Sequence, residues 1–106
     1  MFVSAQGSPY PRFRRALATR NLDVIRAAAA ELPSVRLDDA LEICVVLRDA
    51  APERYERAAV RWLARFAVER ADATVERIEQ AAHAFALMRT APEAALADLQ
   101  AICGRS

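Results

Sequence analysis

Arg54, Arg57, Arg61 and Arg65 recur at intervals of three, four and four residues. On a helix, at about 100° per residue, all four project within about 80° of one another. A ladder of guanidinium forks at that spacing suits the phosphates or carboxylates of a partner, because each fork can hold two oxygens at once. A second basic cluster, Arg12, Arg14, Arg15 and Arg20, comes before the first acidic residue, Asp23. With Tyr10 and Phe13 beside it, this cluster can meet nucleic acid through phosphates first and stacking second. Its first three arginines lie too close in sequence to share one helix face.

Other chemistry-bearing residues are sparse. His83, the only histidine, falls with Glu76, Glu79 and Gln80 on the polar side of its segment. A carboxylate one turn away can orient an imidazole, but no serine or cysteine nucleophile stands near it in sequence. Asp38, Asp39, Glu42 and Asp49 have the character of an acid–base or carboxylate metal set. Asp38 and Asp39, however, sit where a helix N-terminus attracts negative charge, and Asp49 sits at a turn. Cys44 and Cys103 form no CxxC or Cys/His cluster; both are expected to be reduced, with Cys44 in ICVVL serving as a small hydrophobe. The two glycines, Gly7 and Gly104, leave no interior for a phosphate-cradling loop. The expectation is a non-enzymatic protein with no metal and no cofactor.

At 106 residues and 55% hydrophobic, the chain can bury a core without a staple. Alanine inflates that share, so the helices should pack closely around a thin core. All fifteen basic residues are arginine, which suggests a GC-rich genome and cautions against reading each one as chosen for its fork. A net charge of +1 gives no global attraction to nucleic acid or anionic membrane. The opening MFVSAQGSPY has neither the basic start nor the apolar run of a signal peptide, and no stretch approaches the ~20 apolar residues of a membrane span. A cytoplasmic protein with no membrane partner is expected, with residues 1–9 as a flexible lead-in and residues 10–106 as a single all-α domain.

Six short helices must position these groups. The first should run from about Pro11 to Thr19 with Phe13 and Leu17 inward. Asn21 should cap a second, LDVIRAAAAEL, closed by Pro33, with Leu22, Ile25, Ala29 and Leu32 on one stripe. The third, from near Leu37 to near Ala50, has a narrow polar strip and should be the most buried. Pro52 opens the fourth, which runs to about Arg70 with Tyr55, Ala59, Trp62 and Phe66 inward. Thr74 should cap the fifth, with Val75, Ile78, Ala82 and Phe85 inward. Thr90-Ala91-Pro92-Glu93 has the form of a capping box for the last, which turns Ala95, Leu99 and Ile102 inward and stops at Gly104. Val45 and Leu87 fall on polar sides, and would mark a partner surface if they lay exposed together.

Leu47-Arg48-Asp49-Ala50-Ala51-Pro52-Glu53 is echoed by Met88-Arg89-Thr90-Ala91-Pro92-Glu93, about 40 residues later, with a turn one residue shorter. Residues 37–66, and more loosely 75–103, resemble a HEAT repeat: a leucine-rich helix, an Asp and Pro turn, and an alanine-rich helix. The whole chain is also similar to short helical proteins of actinobacteria. The HEAT resemblance implies stacked hairpins used as a binding surface, and no chemistry. The expected architecture is antiparallel hairpins in a small bundle or HEAT-like stack. The expected function is docking of a protein partner on the arginine-lined helix face of Arg54, Arg57, Arg61 and Arg65. A second copy of the chain is another candidate partner. The alternative is a nucleic-acid-binding regulatory protein that uses the N-terminal arginines with the same row.

Overall fold

Caps and prolines set where the helices begin. The computed structural model describes residues 8–104, in which every regular element is an α-helix. These are α1 (Pro9–Thr19), α2 (Leu22–Ala29), α3 (Leu37–Ala50), α4 (Pro52–Glu69), α5 (Val75–Leu87) and α6 (Pro92–Cys103). Proline opens α1, α4 and α6, where its missing N–H leaves no bond unmade. The Asn21 Oδ1 accepts from the N–H groups of Asp23 and Val24, at 3.0 and 3.2 Å, and so starts α2. The Thr74 Oγ1 does the same for α5, accepting from the Arg77 N–H at 3.1 Å. Among the described residues no helix is long and apolar enough to cross a membrane.

The chain divides between Arg36 and Leu37 into two compact units. In the first, α1 packs against α2, with Phe13, Ala16, Leu17 and Ile25 buried. The expected lead-in over residues 1–9 lies outside the described residues as far as residue 7, and Pro9 is already helical. Helix α2 stops at Ala29, short of Pro33. Its end tightens into bonds from Glu31 N–H to the Ala28 carbonyl and from Leu32 N–H to the Ala29 carbonyl. Proline disfavours the α conformation in the residue before it, so the chain leaves the helix before reaching Pro33.

The second unit is a four-helix bundle: α3 packs on α4, α4 on α5, α5 on α6, and α6 back on α3. Leu37, Leu41, Cys44, Tyr55, Trp62, Phe66, Phe85, Met88 and Leu99 meet in its core. Truncating Trp62 or Phe66 to alanine would cost about 3–5 kcal/mol, a large part of the ~5–15 kcal/mol by which a domain of this kind is stable. Buried Leu41, Tyr55, Ala59 and Trp62 stand forty positions before buried Ala81, Ala95, Leu99 and Ile102, large against small at each pair but one. The residues ahead of the two prolines share a backbone conformation, φ −150° and ψ 68° at Ala51, φ −137° and ψ 66° at Ala91.

Three local expectations are corrected. The second turn is longer than the first, because α5 ends at Leu87 and Met88–Thr90 form a turn, whereas Ala51 alone separates α3 from α4. Thr90 is not a cap: with Pro92 as the first helical residue, Ala91 holds the capping position and offers no side-chain oxygen. The inward face of α5 is Ala81, Ala84 and Phe85, while Ala82 and Val75 face solvent. Val45 and Leu87 are half-buried and pack against the core, so they form no apolar patch.

Candidate functional site

Helix α4 spans 18 residues, about 27 Å at 1.5 Å per residue, and its rotation is held at two places. The Trp62 Nε1–H donates to the Leu37 carbonyl at 2.8 Å, at the start of α3. The Tyr55 hydroxyl donates to the Phe85 carbonyl at 2.9 Å, at the end of α5. Between these anchors Trp62 stacks on Phe66 with ring centres 5.4 Å apart, and meets Phe85 edge-on at 5.5 Å. Both bonds are buried, and releasing either would leave its donor, the indole N–H or the hydroxyl, without a partner away from water. The opposite face of α4 is therefore presented in one fixed orientation.

On that face Arg54, Arg57 and Arg61 are exposed, and their guanidinium groups make no ion pair or hydrogen bond with described residues. The spacing of Glu53 and Arg57 suggests an internal pair, but none forms. Arg65 differs from its three neighbours. It is half-buried and grips Glu69 with two bonds, Nε to Oε2 at 2.8 Å and Nη2 to Oε1 at 3.2 Å. Those bonds hold the Glu69 carboxyl below the usual carboxylate range. The row of four thus resolves into three arginines available to a partner and one committed within the helix.

The N-terminal cluster is less concentrated. Arg12, Arg14, Arg15 and Arg20 are all exposed, but Arg12 pairs with Glu31 at 2.7 Å. Arg14 and Arg20 also make interactions of their own. Arg20 lies beyond the helix with φ 56°, in the left-handed region, where its N–H closes α1 onto the Leu17 carbonyl. Arg12, Arg14 and Arg15 project from different sides of α1, as their spacing requires.

Three arginines outside both clusters bond to carbonyls far along the chain. Arg48 donates from Nη1 to the Met88 carbonyl at 3.1 Å, beyond the end of α5. Arg77 donates from Nη2 to the Ile102 carbonyl at 2.8 Å, and Arg70 donates from Nη1 to the Cys103 carbonyl, so two cations close the C-terminus of α6. Asp72 Oδ2 lies 3.2 Å from Arg70 and 3.5 Å from Arg77 and holds both in place. The acceptors lie 25 to 40 residues from their donors, beyond the reach of any local pattern.

Among the described residues the remaining candidate groups stay apart. His83 is exposed and shares a shallow groove of about 430 Å³ with Arg77, Gln80, Asp98, Ala101 and Ile102, none of them a nucleophile. Cys44 is buried, which pushes its thiol up to about 11, so it stays protonated and unreactive at neutral pH. Asp39 is buried, Asp38 is exposed and accepts from the Asp39 N–H at 2.9 Å, and Asp49 is bound to Arg48. No cluster of three or more histidine, cysteine or acidic side chains placed to hold a metal ion occurs among the described residues. No protein-family model, curated protein or solved structure matches the chain.

Proposed function

We propose that this chain is a non-enzymatic interaction module that docks a protein partner on the outer face of α4. Arg54, Arg57 and Arg61 supply charge-assisted contacts, and Arg65 flanks them. The observation that carries this reading is the set of three exposed guanidinium groups without internal partners on one side of α4. Four other arginines have been drawn into work inside the fold: Arg12 on Glu31, Arg48 on Met88, Arg70 on Cys103 and Arg77 on Ile102. A helix locked by Trp62 and Tyr55 loses little freedom on docking, so less ordering cost is set against those contacts.

The test is affinity capture of the tagged protein from lysate of its source organism, with and without nuclease, for the wild type and for Arg57→Glu/Arg61→Glu. A protein retained after nuclease and lost in the double variant supports the adaptor. Recovery that vanishes with nuclease favours nucleic-acid binding through the same row and the N-terminal arginines.

A further inference from the structure

The outer face of α4 holds more than charge. Val60, Ala64, Ala67 and Val68 are all exposed there, Val60 at 51% and Val68 at 86%. At about 100° per residue these four fall within about 100° of one another, with Arg57 and, one turn before it, Glu53 among them, Arg61, Arg54 and Arg65 along one edge, and Glu56 on the other. Their separations from Arg57 through Val60 and Ala64 to Ala67 are three, four and three residues, the alternation of a helix-packing seam. The opposite side of α4 is already filled by Tyr55, Ala59, Trp62 and Phe66. Helix α4 therefore exposes, opposite its core face, a partly apolar strip interrupted by Arg57 and Glu53.

We infer that this second face seats an acidic amphipathic helix of the partner protein. The inference rests on the interaction-module reading and names the chemistry of what docks. Small side chains at Ala64 and Ala67 let a helix axis come close, and the two valines give it apolar area to cover. The guanidinium edge would meet glutamates or aspartates that border the partner's own apolar stripe. An antiparallel second copy of this face fits poorly, because it would set arginine edge against arginine edge. Nucleic acid fits poorly as well, since a phosphate backbone has no use for the aliphatic strip between the charges.

The probe is a pair of labelled synthetic peptides as long as α4 and identical in composition. One carries leucines at heptad spacing with flanking glutamates, and the other has the same residues scrambled. Fluorescence anisotropy would follow binding, and circular dichroism would follow helix gained by the peptide. Vesicles containing phosphatidylserine and a thymidine oligonucleotide would be titrated alongside. The patterned peptide should bind saturably and become helical, with the scrambled one about tenfold weaker. Val60→Ser/Val68→Ser and Arg57→Glu/Arg61→Glu should each weaken it by about tenfold while unfolding at the wild-type temperature, since all four side chains are exposed.

Equal binding of the two peptides, or no binding of either, would overturn the helix inference. So would an effect of the arginine variant alone, or binding of the vesicle or the oligonucleotide in place of the peptide. Loss of lysate capture in the arginine variant but not in the valine variant would leave the arginine face standing without its helix. Capture unaffected by either variant would remove both readings.

Discussion

Arg48, near the end of α3, and Met88, just past the end of α5, meet across the bundle, and the guanidinium of the first donates to the carbonyl of the second at 3.1 Å. The same guanidinium is anchored by Asp49, with Nη2 to Oδ1 at 2.8 Å. One hairpin keeps its helix to within a residue of its proline. The other unwinds early, and the carbonyl made available is taken by the arginine of its counterpart.

Replacing Arg48 with alanine should therefore destabilise the protein by about 1–2 kcal/mol, since the bond is charge-assisted but only partly buried. Urea unfolding monitored by Trp62 fluorescence measures this. Arg54→Ala, at an exposed position with no contact to lose, should stay within about 0.5 kcal/mol of wild type. Equal stability of the two variants would mean that water replaces the guanidinium at no cost.

Trp62→Phe keeps most of the aromatic packing but removes the donor to the Leu37 carbonyl. Losing that buried hydrogen bond costs about 1 kcal/mol, to which the smaller ring adds a cavity. The expected result is a loss well above that of a surface substitution, read from the denaturant midpoint at unchanged slope.

Alkaline pH should weaken the fold. Burial raises the Cys44 thiol from 9.0 to about 11, so the folded state holds its proton after the unfolded state has released it. The resulting stabilisation is complete below pH 9 and is lost as pH rises through about 11, for a total of about 3 kcal/mol. Tyr55, raised from 10.0 to about 12 first by burial and then by Cys44, acts in the same direction at the upper end. Cys44→Ala should flatten the decline between pH 9 and 11 in urea midpoints. At neutral pH a thiol reagent should modify half-exposed Cys103 long before Cys44.

At acid pH the sign reverses. Arg65 lowers the Glu69 carboxyl, so the unfolded chain takes up this proton first as pH falls. The small stabilisation from the pair is present above the ordinary carboxylate range, about pH 4.3, and is lost below it. Glu69→Gln should reduce the slope of stability against pH in that window and leave neutral-pH binding to the α4 face unchanged.

Much of this was readable from spacing. Tyr55, Ala59, Trp62 and Phe66 repeat at three and four residues with strongly apolar side chains, so the rotation of α4 follows, and with it the exposure of Arg54, Arg57 and Arg61. Helix α5 was harder because its buried side is made of Ala81 and Ala84, which carry little hydrophobic signal. Ile78 and Phe85 do turn inward, but Val75 lies in the first turn and is 71% exposed, and Ala82 faces solvent. The capping arginines were illegible for a different reason. A cation beside its own helix end is a local pattern, whereas Arg70 and Arg77 serve the end of α6, which reaches them only after the chain has doubled back.

Because α6 returns to α3, the start of the bundle and its finish lie at the same pole. Trp62 brings the beginning of α3 to the second half of α4, and Arg70 and Arg77 bring the end of α6 to the turn that follows it. The ring has no privileged first helix. A circularly permuted chain that enters at Thr74, runs through α5 and α6, and is bridged from Gly104 to Leu37 by a short flexible segment should close the same four-helix ring.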